Sequence, residues 1–202
     1  MSHMKRIVVG MTGASGAIYA QRLIDILCNL DVQVHLVLSR HAMKVIPYEL
    51  EPLSFKADVE VAHEVLRYFH GTLIEFHGYQ DFMAPIASGS FRTDGMVVCP
   101  CTAGTLGRIA NGVSTNLLDR AADVTLKERR KLICVLREIP YSEIMIENML
   151  RLTRAGGMIL PASPSFYHRP ENIKDVVDSV VARILDQLGL ESELKVRWSL
   201  ES

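Results

Sequence analysis

The 202-residue chain has almost no net charge, few aromatic side chains and no long apolar run. Each shortage excludes a class of protein. Its 22 Lys plus Arg balance 23 Asp plus Glu, so the basic footprint of a nucleic-acid binder is missing. No stretch reaches the roughly 18 consecutive apolar residues that suggest a membrane-spanning helix. The N-terminus lacks the apolar core of a secretory signal, so a cytoplasmic location is expected. Met1-Ser2-His3 ahead of Met4 reads as a cloning remnant, which leaves 4–202 as a single expected domain. Charge-driven disorder is excluded, because 49% of residues are hydrophobic and only 22% are charged.

Metal and redox signatures are also scarce. Cys28, Cys99, Cys101 and Cys134 form no C-x-x-C pair and are expected to be buried, reduced thiols. No H-E-x-x-H or D-D-x-x-D motif is present, so the usual ligands for catalytic zinc and for magnesium-held diphosphate are lacking. His63, His70 and His77 recur every seven residues. They span a helical stretch, the Gly71 break and a strand, so they do not share a face and no metal site is expected. The sole tryptophan, Trp198, lies four residues from the end and has no local explanation. With Gly counted and Tyr left out, the chain is about 52% apolar, slightly above the usual 45–50%. That excess predicts apolar surface buried between subunits.

What is present is an alternation of apolar runs and amphipathic stretches. Arg6–Gly10, Gln33–Leu38, Gly95–Cys99 and Leu132–Leu136 are nearly continuous in apolar residues, as in parallel strands buried on both faces. Leu73–Phe76 and Met158–Leu160 are weaker strand candidates. Ala17–Leu30, Ser142–Ala155 and Asn172–Leu188 carry apolar residues at helical spacing. The alternation predicts an α/β fold, a three-layer sandwich with a mostly parallel, Rossmann/flavodoxin-like sheet.

In such folds ligands bind beyond the carboxyl ends of the strands. Four segments fall there: Met11–Gly16, Ser39–Arg40, Pro100–Thr105 and Arg137–Glu138. Gly10, Gly13 and Gly16 space the first loop as G-x-x-G-x-x-G at the start of a helix. Small residues and a helix N-terminus suit a phosphate. Ser39 and Arg40 stand where an acidic residue would grip the ribose of NAD, so a mononucleotide such as FMN fits better. The loop could equally be a plain tight turn, and Pro100–Thr105 a packing turn. Lys127-Glu-Arg-Arg130 reads as a solvated charge run, whereas Arg137-Glu138 ends a buried strand, where charges need a partner. Arg183 sits at the edge of an apolar stripe, on the surface or facing a ligand. Tyr167 lies at the tip of a loop stiffened by Pro164 and Pro170. Glu49 reads as an ordinary acid at a helix end.

Several blocks then fall into a familiar order. They are Gly13-Ala-Ser-Gly16, Ala87-Ser-Gly-Ser-Phe91, Pro100-Cys-Thr, Arg120-Ala-Ala-Asp-Val124, Leu126-Lys-Glu-Arg-Arg130, Arg137-Glu-x-Pro140 and Phe166-Tyr-His-Arg-Pro170. From Lys5 to Trp198 the chain resembles the UbiX flavin prenyltransferases, once named 3-octaprenyl-4-hydroxybenzoate carboxy-lyases. The resemblance implies a metal-independent transferase linked to ubiquinone biosynthesis. It would join a dimethylallyl group from dimethylallyl phosphate to N5 and C6 of reduced FMN. The prenylated FMN would serve a UbiD-type decarboxylase, and the subunits would assemble as a dodecamer. By the same resemblance Ser15, Glu49, Glu138 and Trp198 are the catalytic set. Gly13, Ala14, Ser15, Ser39, Cys101, Thr102, Ala103, Gly104 and Arg137 would hold FMN. Lys127, Arg137, Tyr167 and Arg183 would hold the substrate phosphate. An FMN-dependent decarboxylase and a non-catalytic flavin carrier are the alternatives.

Overall fold

A computed structural model describes residues 4–50 and 73–194. His63, His70 and Trp198 lie outside the described residues. The strands are β1 (Arg6–Met11), β2 (Gln33–Leu38), β3 (Ile74–His77), β4 (Gly95–Cys101), β5 (Lys131–Leu136) and β6 (Met158–Pro161). All pair in parallel in one sheet of order β3-β2-β1-β4-β5-β6. The helices are α1 (Ala17–Asn29), α2 (Ala42–Glu49), α3 (Ala103–Ala110), α4 (Leu117–Lys127), α5 (Glu143–Arg154) and α6 (Ile173–Leu188), with a 3₁₀ turn at Pro85–Ala87. The "mostly parallel" sheet is thus wholly parallel among the described residues.

Alternating side chains build two cores. Ile7, Val9, Leu36, Ile133 and Val135 face α1, α2 and α6, while Val8, Met96, Val98, Leu132 and Cys134 face α3, α4 and α5. Covering both faces explains why the four central strands read as unbroken apolar runs. Close contact between layers needs Gly10: a Cβ there would lie 2.8 Å from Leu118 of α4. Four helices begin at side-chain caps, with Thr102, Asn116, Ser142 and Asn172 each accepting a backbone N–H from three residues on. Helix α1 has no such cap of its own, because Gly16 (φ 111°) precedes it. This exception shapes the site.

Three of the cysteines are buried and Cys28 is half-buried, and all four are free. Hydrogen bonding with Cys134 and burial push the Cys101 thiol up, and burial alone pushes up Cys99. Such thiols stay protonated and unreactive.

Candidate active site

The carboxyl ends of β1, β2, β4 and β5 are tied together by short polar contacts. Thr12 Oγ1 donates to the Pro100 carbonyl at 2.6 Å and accepts the Thr102 N–H at 2.9 Å. Ser39 N donates to the Met11 carbonyl, and Arg137 N to the Cys101 carbonyl. Arg137 Nε donates to the Ser15 carbonyl at 3.0 Å. These bonds fix four loops relative to one another before any ligand arrives. Thr12, which no sequence motif singled out, is the joint between the β1 and β4 loops.

Most of the expected flavin residues gather here. Gly13 packs so closely on the segment after β2 that a Cβ on it would lie 2.4 Å from His41 Cβ. Ser15 is exposed, Ala14 is buried, and Ser39 Oγ accepts the Ala42 N–H at 3.0 Å at the start of α2. Thr102, Ala103 and Gly104 open α3, with Gly104 exposed. Pro100 and Cys101 belong to β4 rather than to the following loop, and the Cys101 side chain is fully buried. Only the backbone of Cys101 could face a ligand. The arrangement fits a flat, polar-edged ring system with an anionic tail: two small-residue loops lie side by side, and a serine hydroxyl and an arginine flank them.

The anion expected at the N-terminus of α1 is replaced by a side chain. Glu49 Oε2 accepts the Gly16 N–H at 2.8 Å and the Ala17 N–H at 2.7 Å. The last residue of α2 therefore caps α1 across the fold and satisfies the positive end of its dipole. Read alone, Glu49 was an ordinary helix-end acid, because its partners are more than thirty residues away in sequence. A ligand phosphate cannot use these two donors unless Glu49 moves.

Glu138 is exposed just after β5, and its own carboxylate accepts the Ile139 N–H at 3.3 Å. It lines a cleft of about 430 Å³ with Arg137, Tyr141 and Ser163. A second cleft of about 460 Å³ shares Ser163 and continues past Ser165 and Ser179 to Arg183 on α6. Arg183 is 64% exposed at the rim of this cleft and pairs with Asp186 at 2.9 Å. Tyr167 is 81% exposed in the proline-bounded loop.

Lys127 is the residue that the fold does not bring to this site. It ends α4 ahead of β5, whereas Arg137 and Glu138 follow β5. The six-residue strand between them spans about 20 Å at 3.3 Å per residue. Lys127 instead pairs with Glu128 beside the Ser88-Gly89-Ser90 loop. The supposed charge run is not wholly solvated either. Arg130 donates to the carbonyls of Gly89 and Phe91 at 2.8 Å each, and Arg120 Nε donates to the Ala87 carbonyl at 3.1 Å.

Residues 1–185 match the Flavoprotein family model. The flavin prenyltransferase UbiX of Pseudomonas aeruginosa is 46% identical over 201 residues, covering 98% of this chain and 96% of that protein. The crystal structure of AnUbiX (PadA1) in complex with FMN and dimethylallyl pyrophosphate superposes with a TM-score of 0.86 at 41% identity, covering 98% of each chain. A dodecameric FMN-dependent UbiX-like decarboxylase from Escherichia coli O157:H7 also gives a TM-score of 0.86, at 45% identity over 96% of this chain and 99% of that one.

Proposed function

The chain belongs to the UbiX flavin prenyltransferase family of flavoproteins, and from that premise we propose that it prenylates reduced FMN. The donor is dimethylallyl phosphate. Its C–O bond breaks, phosphate leaves, and new carbon bonds form at N5 and C6 of the flavin. The prenylated FMN is then handed to a UbiD-type decarboxylase. The observation that carries this reading is the clasp between Ser15 and Arg137, which ties the end of β5, where Glu138 follows, to the glycine loop.

In this reading Gly13, Ala14, Ser15, Ser39, Thr102, Ala103, Gly104, Arg137 and the backbone of Cys101 cradle FMN, which supplies the electron-rich ring to be alkylated. Arg137, Tyr167 and Arg183 hold the departing phosphate. An arginine fork suits its geometry, and a phenol adds a neutral donor. These fixed donors do the work that magnesium does in diphosphate chemistry, so no metal is needed. Glu138 moves the proton that ring closure releases. Glu49 acts as a second carboxylate, held at α1 until substrate arrives. Trp198, outside the described residues, would offer a π face to the developing cation.

Lys127 enters from another subunit. Its separation from Glu138 within one chain supports an assembly in which the amino-end loop of one protomer meets the carboxyl-end site of the next. Exposed Ile139, Ile144, Ile146 and Leu150 supply apolar surface for such contacts. A dodecamer is the proposed form, and the cytoplasm the proposed location. No described helix is long and apolar enough to cross a membrane.

Incubating the protein with FMN, a reductant and dimethylallyl phosphate without oxygen tests the proposal by mass spectrometry. The flavin should gain one C5H8 unit. Unmodified flavin points to a carrier, and carbon dioxide release from an added substrate points to a decarboxylase; either result rejects prenyl transfer.

A further inference from the structure

Three side chains outside the flavin and phosphate sets converge at the edge of the sheet: His35 of β2 with Glu75 and His77 of β3. Glu75 lies opposite His35 in the ladder and His77 is two residues on, so all three project from one face. His35 Nδ1 lies 3.0 Å from His77 Nε2 and 3.5 Å from a Glu75 oxygen. His77 Nε2 lies 3.8 Å from the other Glu75 oxygen. Both rings are buried, while the Glu75 side chain is 46% exposed.

A proton count shows what this cluster lacks. Two neutral imidazoles in contact share one proton, and an ionised carboxylate brings only lone pairs. Three acceptors therefore surround a point supplied with a single hydrogen. We propose that His35, Glu75 and His77 bind a divalent transition metal, zinc being the best match, as a structural site that pins edge strand β3 to β2. With metal–nitrogen and metal–oxygen bonds of about 2.0–2.2 Å, tetrahedral ligand atoms sit about 3.3–3.5 Å apart, within the observed spread of separations. Two imidazoles and a carboxylate suit zinc, and the exposed side at Glu75 gives an entry path and room for a water as fourth ligand. Phe91 meets the His35 ring edge-on at 5.1 Å and helps fix its plane. Arg6, stacked on Phe91, opposes the ion, and Asp81 near His77 favours it. The heptad of His63, His70 and His77 was read as sharing no face; the structure instead joins His77 to His35 on the neighbouring strand.

The test uses the full chain, stripped with EDTA and dialysed against zinc. We expect one zinc per chain and a melting temperature raised by about 5–10 °C at zinc a hundredfold above its dissociation constant. Cobalt should give visible bands of nitrogen and oxygen ligation without a thiolate charge-transfer band. Glu75→Gln, on the solvent side, should keep the fold by circular dichroism yet weaken zinc more than about 100-fold, beyond the cost of outer-shell changes. His77→Gln should do the same. No uptake by the unaltered protein, uptake unchanged in both variants, or a thiolate band on cobalt would overturn the site. No step of prenyl transfer runs through this ion, so such a failure leaves the proposed reaction untouched.

Discussion

The two ends of the parallel sheet use their polar groups in different ways. At the carboxyl end, Thr12, Ser39 and Arg137 bond to neighbouring loops, while Ser15 and Glu138 stay exposed at the rim. At the amino end, Arg120 and Arg130 spend donors on the carbonyls of Ala87, Gly89 and Phe91. The first arrangement builds a concave receptor with exposed functional groups at its rim. The second holds one exposed loop in a fixed shape, with Lys127 beside it. One chain thus carries two complementary parts of a site, one for receiving a ligand and one for being presented to a neighbour.

Changes at the two ends should therefore fail differently. The largest effect belongs to the carboxyl end. Glu138→Gln should keep FMN bound while product formation falls about 10²–10⁴-fold, the usual worth of a positioned acid or base. Flavin titration and turnover, measured side by side, check this; undiminished turnover removes Glu138 from the chemistry. At the amino end, Arg130→Ala should cost about 2 kcal/mol by freeing two half-buried carbonyls, and lower Tm by about 4–8 °C. A Tm unchanged from the parent would show that the loop holds its shape without Arg130. The smallest effect is expected at Ser39→Ala. Loss of the hydroxyl that accepts the Ala42 N–H should cost about 1 kcal/mol. A chemical-denaturation midpoint reports it, together with weaker FMN binding if Ser39 touches the flavin; unchanged values in both would leave Ser39 with neither role.

The contrast also marks how far the sequence could be read. The four central strands were legible because burial on both faces forces apolar runs, and their ends located the loops. Helices α2, α3 and α4 were not delimited. The first contains Pro47 and the second Gly104 and Gly107, which lower helix propensity and blur the apolar stripe. The caps of α3 and α5 are local and visible in sequence, whereas the cap of α1 comes from Glu49 across the fold. Motif order grouped Lys127 with Arg137, Tyr167 and Arg183, yet order along a chain carries no information about which end of β5 a residue occupies. The His35–Glu75–His77 cluster was hidden for a related reason: parallel pairing joins residues about forty positions apart.

The most direct test of the divided site is complementation between two inactive proteins. Lys127→Ala and Glu138→Gln, each purified alone, should yield almost no prenylated flavin. Co-expressed with separate tags and purified as mixed assemblies, they should regain up to about a quarter of the parent yield, because random pairing leaves that share of sites with both residues intact. Mixed assemblies as inactive as either variant alone would contradict a site shared between subunits.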